Sequence, residues 1–408
     1  MRQSTATGTS PARLAAMRAE SPTLAFLERK ARRRIPSFCY DFLQGGTDRQ
    51  TGHPRNRAAF DATEICPRHA VDVGATDPSV ALFGRTYAAP LLIAPVGMDG
   101  AIWPGAGRHL ARTAAARNIP YMIGTLSATR LEEAVALAAE SVWFQLYTMP
   151  EQDHRDSLAL VARAKAAGVR VLALTIDIPL PARRVPDMRN RLALPFRLHP
   201  RMALAAALRP AWLAALAREG RPQFRNLEAH CPADMPLVQY ARQARAGGAA
   251  TWEFIARLRQ VWDGDLVIKG IMDPRDAERA RAHGADGIVV SNHGGRQFDA
   301  APAPLDVLPA VRHAAGPMPV LLDGGVMSGL DILRAVACGA DAVMVGRGFM
   351  YGLATYGAAG ADFVADTLMD EFRIALAQSG ALTVAGARQL AVRHPRRWRS
   401  EDFEGGTE

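Results

Sequence analysis

The chain has 408 residues, 49% of them hydrophobic and 22% charged, with a formal net charge of +9, which suits a globular protein of one large barrel or a few ordinary domains. No uncharged apolar run reaches the length of a membrane-crossing helix, and the Ser-, Thr-, Arg- and Ala-rich N-terminus lacks the apolar core of a secretory signal, so a cytoplasmic location is expected. The four cysteines, Cys39, Cys66, Cys231 and Cys338, are dispersed without a C-x-x-C pair, which argues against a disulfide framework or a zinc cluster.

Residues 1–89 show no regular alternation and are expected to form a helical extension packed beside the main domain or under its floor. From residue 90 a rhythm begins, in which a short apolar run ends in polar or Gly residues and a helix-length stretch follows. The runs are PLLIAP (90–95), PYMIGT (120–125), VWFQLY (142–147), VRVLALTID (169–177), DLVIKG (265–270), DGIVVSNHG (286–294), PVLLDGG (319–325) and DAVMVGR (341–347). Continuous Val/Ile/Leu runs suit strands buried on both faces. Eight such runs alternating with helices such as LEEAVALAAE and DVLPAVRHAAG predict an α/β fold, a (β/α)8 TIM barrel over 90–390. An open doubly wound sheet is the alternative that this count disfavours.

Residues 178–250 interrupt the rhythm after the fourth run, a length that points to a lid or binding element. The chain closes with a terminal helix and a basic tail at 391–408. The charge is concentrated in the insertion: from Arg183 to Arg225 ten arginines stand against Asp187 and Glu219, a net +8. The near-neutral remainder gives no general nucleic-acid footprint. Arg197 to Arg221 mixes arginines with Leu, Ala, Met202 and Trp212. This stretch suits an anionic membrane surface, with Trp212 at the interface, as well as it suits a lid with its apolar side turned to the barrel.

In a TIM barrel the active site forms where the strands end. The ends here carry Gln145 and Tyr147, Thr175 and Asp177, Lys269, then Ser291, His293 and Arg296, then Asp323 and Gly325, then Gly346 and Arg347. SNHGGR sets an imidazole and a guanidinium three residues apart, a base near neutral pH beside a cation that clamps a carboxylate. Asp177 is placed to orient and stabilise the imidazolium, or else to cap a turn. Lys269 ends an apolar strand and needs an anionic partner, either a reduced flavin or a neighbouring strand-end carboxylate. DGG and GR on the last two strands match a phosphate site. No G-x-G-x-x-G follows the first strand, and no metal-ligand grouping is present.

These motifs in order (FQLY, LTIDIP with its following arginine pair, VIKG, SNHGGRQ and LDGGV with the later GR) make the chain resemble the FMN-dependent 2-hydroxy-acid oxidising family: glycolate oxidase, flavin-type L-lactate dehydrogenase and mandelate dehydrogenase. The resemblance runs over residues 25–390. It implies FMN as cofactor and a small L-2-hydroxy acid, lactate- or mandelate-like, as substrate, oxidised to the 2-oxo acid. It implies His293 as the base, paired with Asp177, and Arg184, Arg296, Tyr40 and Tyr147 around the substrate. It places Lys269 at the flavin N1/O2 edge, with Gln145, Thr175 and Ser291 on the ring. Asp323, Gly325, Gly346 and Arg347 fall on the ribityl phosphate, and Pro95, Val96 and Gly97 lie against the flavin. Gly124 and Met327 depart from the pattern, where Ser and Arg are usual; Thr125 is the expected substitute for the first.

IAPVGMDGAIWP, Gly97 and the stretch from His199 to Leu227 look most like the mandelate dehydrogenase branch. That implies electrons passed to quinone; the basic insertion allows a peripheral position on the inner face of the membrane, and the family resemblance implies a homotetramer. Leu126, Met98 and the insertion are expected to line the substrate side-chain pocket. The competing readings are a flavin oxidoreductase of the same scaffold acting on a modified peptide or amine-bearing substrate, a non-catalytic phosphate-ligand-binding barrel, and a metal-dependent aldolase-type barrel.

Overall fold

The computed structural model describes residues 10–190, 192, 199–243, 246–248 and 250–403. Each of the eight apolar runs contains one strand of a parallel sheet: β1 Leu91–Ile93, β2 Tyr121–Gly124, β3 Val142–Leu146, β4 Val171–Thr175, β5 Asp265–Ile271, β6 Gly287–Val290, β7 Val320–Leu322 and β8 Ala342–Val345. Neighbours in sequence are neighbours in space, and β8 pairs with β1 through Val343↔Leu91 and Val345↔Ile93, so the sheet closes into a barrel. Apart from Asp265 and Gly270 near the two ends of β5, the strand residues are buried. They lie between the barrel interior and the surrounding helices, which is why they read as unbroken apolar runs. The helices start at side-chain caps where the sequence provides them. Ser328, Thr251 and Asp273 each accept a backbone N–H from the first turn that follows.

β4 and β5 share a register that sets Thr175 beside Lys269. Just beyond, β5 bulges between Lys269 and Ile271, and Gly270 takes a positive φ of 112°. An added Cβ there would lie 2.7 Å from Cβ of Asp177. Only glycine lets the two strand ends approach this closely without strain.

The insertion forms helices Val185–Arg189, Pro200–Ala207, Pro210–Glu219 and Leu237–Gln243. It is pinned to the barrel from beneath. Trp212 is buried and its indole N–H is shared by the carbonyls of Ala101 and Ile102. Asn226 accepts the N–H of Leu131 and donates to the carbonyls of Gly124 and Thr129. Trp212 is therefore a packing residue, which favours the lid reading of this side chain over the interfacial one. An indole with its N–H satisfied by the protein has no reason to leave for a headgroup layer. Arg197, at one end of that expected surface, lies outside the described residues.

The N-terminal extension divides its work. The hairpin Val80–Leu82 and Arg85–Tyr87 lies under the floor, with Phe83 edge-on to Trp143 at 5.3 Å. Helices Ser37–Gln44 and Gly52–Asp61 instead reach the mouth, where Phe38, Phe42 and His53 meet the strand ends. Strand Ala391–Arg393 of the expected tail pairs antiparallel with Glu64–Cys66, tying the two ends of the chain together.

Gly270→Ala is expected to lower stability by about 1–3 kcal/mol, because the left-handed strain and the crowding of Asp177 act together. Urea unfolding followed by circular dichroism measures it; an unchanged midpoint would mean that the bulge tolerates a side chain.

Candidate active site

The strand ends enclose one cavity of about 450 Å³, within the range of small-molecule and cofactor sites. Its wall combines Pro95–Gly97 after β1, Gln145 from β3 and Tyr147 just beyond it, Thr175, Lys269, His293, Gly294 and Arg296, Asp323 to Met327, and Gly346–Arg347. The N-terminal helices and the insertion complete it with Phe42, His53, Arg184 and Asp187.

His293 follows β6 in the turn Ser291–Gly295. His293, Gly294 and Gly295 have φ of 57°, 66° and 74°, so the two glycines of SNHGGR extend a left-handed turn that begins on the histidine itself. That conformation is costly for a residue with a Cβ and survives only where its surroundings fix it. Here the His293 N–H donates to the Ser291 hydroxyl at 3.1 Å, Nδ1 meets Asp177 Oδ1 at 2.9 Å, and Nε2 lies 3.4 Å from the Tyr147 hydroxyl. With Asp177 holding Nδ1, Nε2 is the atom left to exchange a proton with a ligand.

Burial holds the His293 imidazole below its ordinary value; Asp177 opposes this, while Lys269 and Arg184 reinforce it. Burial works to raise Asp177, but His293 and Lys269 keep it below the usual carboxylate range. The ground state is thus neutral imidazole beside ionised carboxylate, the pair required of a base. Burial and then Asp177 push the Tyr147 phenol up to about 12, so its hydroxyl stays protonated.

Four cations share the cavity wall. Lys269 is buried, donates to the Ser291 hydroxyl at 2.8 Å and pairs with Asp323 at 2.8 Å. Burial disfavours its charge, yet Asp323 and Asp177 outweigh that and keep it protonated. Arg296 donates to the carbonyls of Phe42 and Leu43, and Arg347 to those of Leu43 and Gly294. Arg184 lies 4.0 Å from Asp187. The guanidinium carbons of Arg184 and Arg296 stand 5.9 and 5.3 Å from the Phe42 ring centre. Burial, then the proximity of Arg184 and Arg347, depresses Arg296 well below an ordinary arginine. Such a cluster is relieved by an anion between the guanidiniums.

Among the residues singled out from the sequence, His293, Tyr147, Arg184, Arg296, Pro95, Val96, Gly97, Gln145, Thr175, Lys269, Asp323, Gly325, Gly346 and Arg347 all line this cavity, as do Leu126 and Met98. Asp177 and Ser291 stand behind it, holding His293 and Lys269. Two residues do not fit their expected places. The Tyr40 hydroxyl bonds Glu28 and Gln44, and its ring lies near Arg32; Phe42, two positions on, faces the cavity instead. The Thr125 hydroxyl donates to the Gln145 carbonyl and accepts from the Tyr147 N–H, so it braces β2 against β3. His53 lines the cavity without having been foreseen.

Among the described residues, five buried polar atoms of the wall have no partner within the protein: Gln145 Nε2, Thr175 Oγ1, Asp323 Oδ1, Asp187 Oδ1 and Gln297 Oε1. Buried polar atoms are seldom left so. A planar ligand with acceptors and donors along its edge would satisfy the first two, and a polyol the third. A Cβ on Gly97 would have no contact nearer than 3.8 Å, and one on Gly346 none nearer than 3.6 Å, so the backbone there offers open surface to a ring and a phosphate. The wall fits FMN.

The family model for FMN-dependent dehydrogenases matches residues 31–394. An L-lactate dehydrogenase of Caulobacter vibrioides is 38% identical over 383 residues, 92% of this chain and 99% of that protein. The (S)-mandelate dehydrogenase of Pseudomonas putida is 35% identical over 349 residues, 85% of this chain and 88% of that protein. Among solved structures, one described as the monotopic membrane protein (S)-mandelate dehydrogenase aligns with a TM-score of 0.85 at 33% identity. It covers 91% of this chain and 99% of its own.

The His293 imidazole is expected to titrate below 6.5, followed through its ring protons by NMR. Asp177→Asn should move the midpoint lower still, since the carboxylate is what opposes burial; an upward shift would contradict this account of the pair.

Proposed function

The chain belongs to the FMN-dependent dehydrogenase family, and on that premise we propose how its cavity divides between FMN and an L-2-hydroxy acid with an apolar side chain. The family's reaction oxidises a 2-hydroxy acid with FMN as cofactor. The observation that carries the reading is the His293 imidazole, held by Asp177 on one nitrogen and open beside Tyr147 on the other, in a wall that also bears Arg184 and Arg296.

When bound, FMN would supply the acceptor for the two electrons and one of the two hydrogens that the substrate loses, the other leaving as the proton taken by His293. Gln145 and Thr175, with their unpartnered atoms, would hold the ring edge, and Lys269 would supply positive charge there. Asp323, Gly325, Gly346 and Arg347 would hold the ribityl phosphate end, and the backbone of Pro95–Gly97 would face the ring. Arg184 and Arg296 clamp the substrate carboxylate through paired hydrogen bonds. This fixes the hydroxyl-bearing carbon beside His293, whose Nε2 takes the substrate proton. Asp177 then stabilises the imidazolium, and Tyr147 keeps its hydroxyl directed at the same atom. Phe42, Met98 and Leu126 give the substituent an apolar wall. Purified protein should be yellow and should bleach anaerobically with L-mandelate or another L-2-hydroxy acid. His293→Gln should keep the colour and lose about 10²–10⁴-fold in bleaching rate; unimpaired reduction by that variant would remove His293 from the mechanism.

The insertion supports a second part of the proposal, a position on an anionic membrane that supplies quinone as electron acceptor. Its helices Pro200–Ala207 and Pro210–Glu219 bury Met202, Trp212 and Ala215 and expose Leu204, Leu208 and Leu213 at 61%, 60% and 36%, with Arg201, Arg218 and Arg221 also exposed. Apolar side chains rimmed by arginines match a headgroup boundary. No helix among the described residues is long and apolar enough to cross a membrane. Cosedimentation with phosphatidylglycerol liposomes is expected, and Leu204→Asp with Leu208→Asp should abolish it. Absence of binding even at low salt would end this part of the proposal.

A further inference from the structure

His53 is a titratable side chain in the cavity wall for which the mechanism has no use. It sits in the first turn of helix Gly52–Asp61, whose next turn is locked onto the glycine-rich end of the cavity. There Asn56 exchanges hydrogen bonds with Asn292, and Arg57 donates to the Gly325 carbonyl. The His53 backbone N lies against Gly295, 2.6 Å from where a Cβ on that glycine would stand. Among the described residues its ring makes no hydrogen bond or ion pair, although it is half-buried. The charged groups that act on it are the guanidiniums of Arg347, Arg57 and Arg296; the carboxylate of Asp299 is engaged with the Gly52 N–H and the Thr51 hydroxyl. Met327 lines the same cavity and brings no charge.

We propose that His53 is a ligand of the FMN phosphate, its ring donating to a phosphate oxygen alongside Arg347. This rests on the reading that FMN lies in the cavity with its phosphate toward Gly325 and Gly346. An imidazole placed among three cations with no anion between them is otherwise without purpose. A phosphate monoester, which carries close to two negative charges near neutral pH, turns that repulsion into attraction. Without the ligand, burial and the repulsion of Arg347, Arg57 and Arg296 push the imidazole down to about 3, so it is neutral at physiological pH. The phosphate raises it. Loading therefore takes up a proton, and affinity falls as pH rises through the value reached in the complex.

The test is FMN release from the holoenzyme, read as recovery of flavin fluorescence on dilution between pH 6.5 and 9, with riboflavin as a competitor that has the ring and lacks the phosphate. Wild type should hold FMN less tightly as pH rises. His53→Leu should weaken FMN by about 10- to 100-fold at the low-pH end, flatten the pH dependence, and leave riboflavin affinity unchanged. Adding Met327→Arg to His53→Leu should restore FMN binding without restoring the slope. Equal weakening of both flavins, or an unchanged FMN constant in His53→Leu, would overturn the assignment. Neither result depends on turnover, so the proposed reaction stands or falls separately.

Discussion

Lys269, Arg184, Arg296 and Arg347 face a single cavity against the carboxylates of Asp187 and Asp323. Bringing four cations out of water is costly, and the structure offsets only part of that cost. Lys269 has Asp323, whereas Arg296 and Arg347 are stabilised mainly by neutral carbonyls, those of Phe42 and Leu43 on helix Ser37–Gln44 and that of Gly294. The remaining imbalance selects ligands by charge before shape enters. Two anionic groups, a phosphate at the glycine end and a carboxylate between the guanidiniums, neutralise it, and the proposed cofactor and substrate carry one each.

The same arrangement explains why the base sits where the backbone is strained. The turn at His293 runs left-handed through three residues and is fixed by Ser291, which also fixes Lys269. One hydroxyl thus couples the imidazole to the ammonium. Asp177 reaches His293 because Gly270 lets β5 draw close to the end of β4. The positions of base, acid and ammonium are therefore consequences of strand register, which a closed barrel holds more firmly than any loop does.

The barrel was legible because parallel strands buried on both faces leave unbroken apolar runs, and the strand-end residues followed from that count. Residues carried by helices were harder to place. Successive residues on a helix turn by about 100°, so moving two positions from Tyr40 to Phe42 changes a residue bonded to Glu28 into one that faces the cavity. Thr125 was misplaced for a related reason. A short hydroxyl at a strand end can bond its neighbour's backbone as readily as a ligand, and here it chose Gln145 and Tyr147. His53 gave no signal because its setting, GHPRN, contains no motif; only the return of that helix to Gly325 gives it a role. Trp212 looked interfacial by composition, and its burial depended on carbonyls more than a hundred residues away in sequence.

The bonds from Arg347 to Leu43 and Gly294 make the cavity wall a product of segments far apart in the chain, and the antiparallel pairing of Glu64–Cys66 with Ala391–Arg393 ties distant segments together away from it. A ribosome delivers the chain from one end only. Helices Ser37–Gln44 and Gly52–Asp61 emerge early, yet their partners follow much later: Arg296 and Arg347 bond the first, and Asn292 and Asp299 the second. The wall is thus complete only when Arg347 joins a helix made about three hundred residues earlier, so the order of synthesis differs from the order in which the cavity closes.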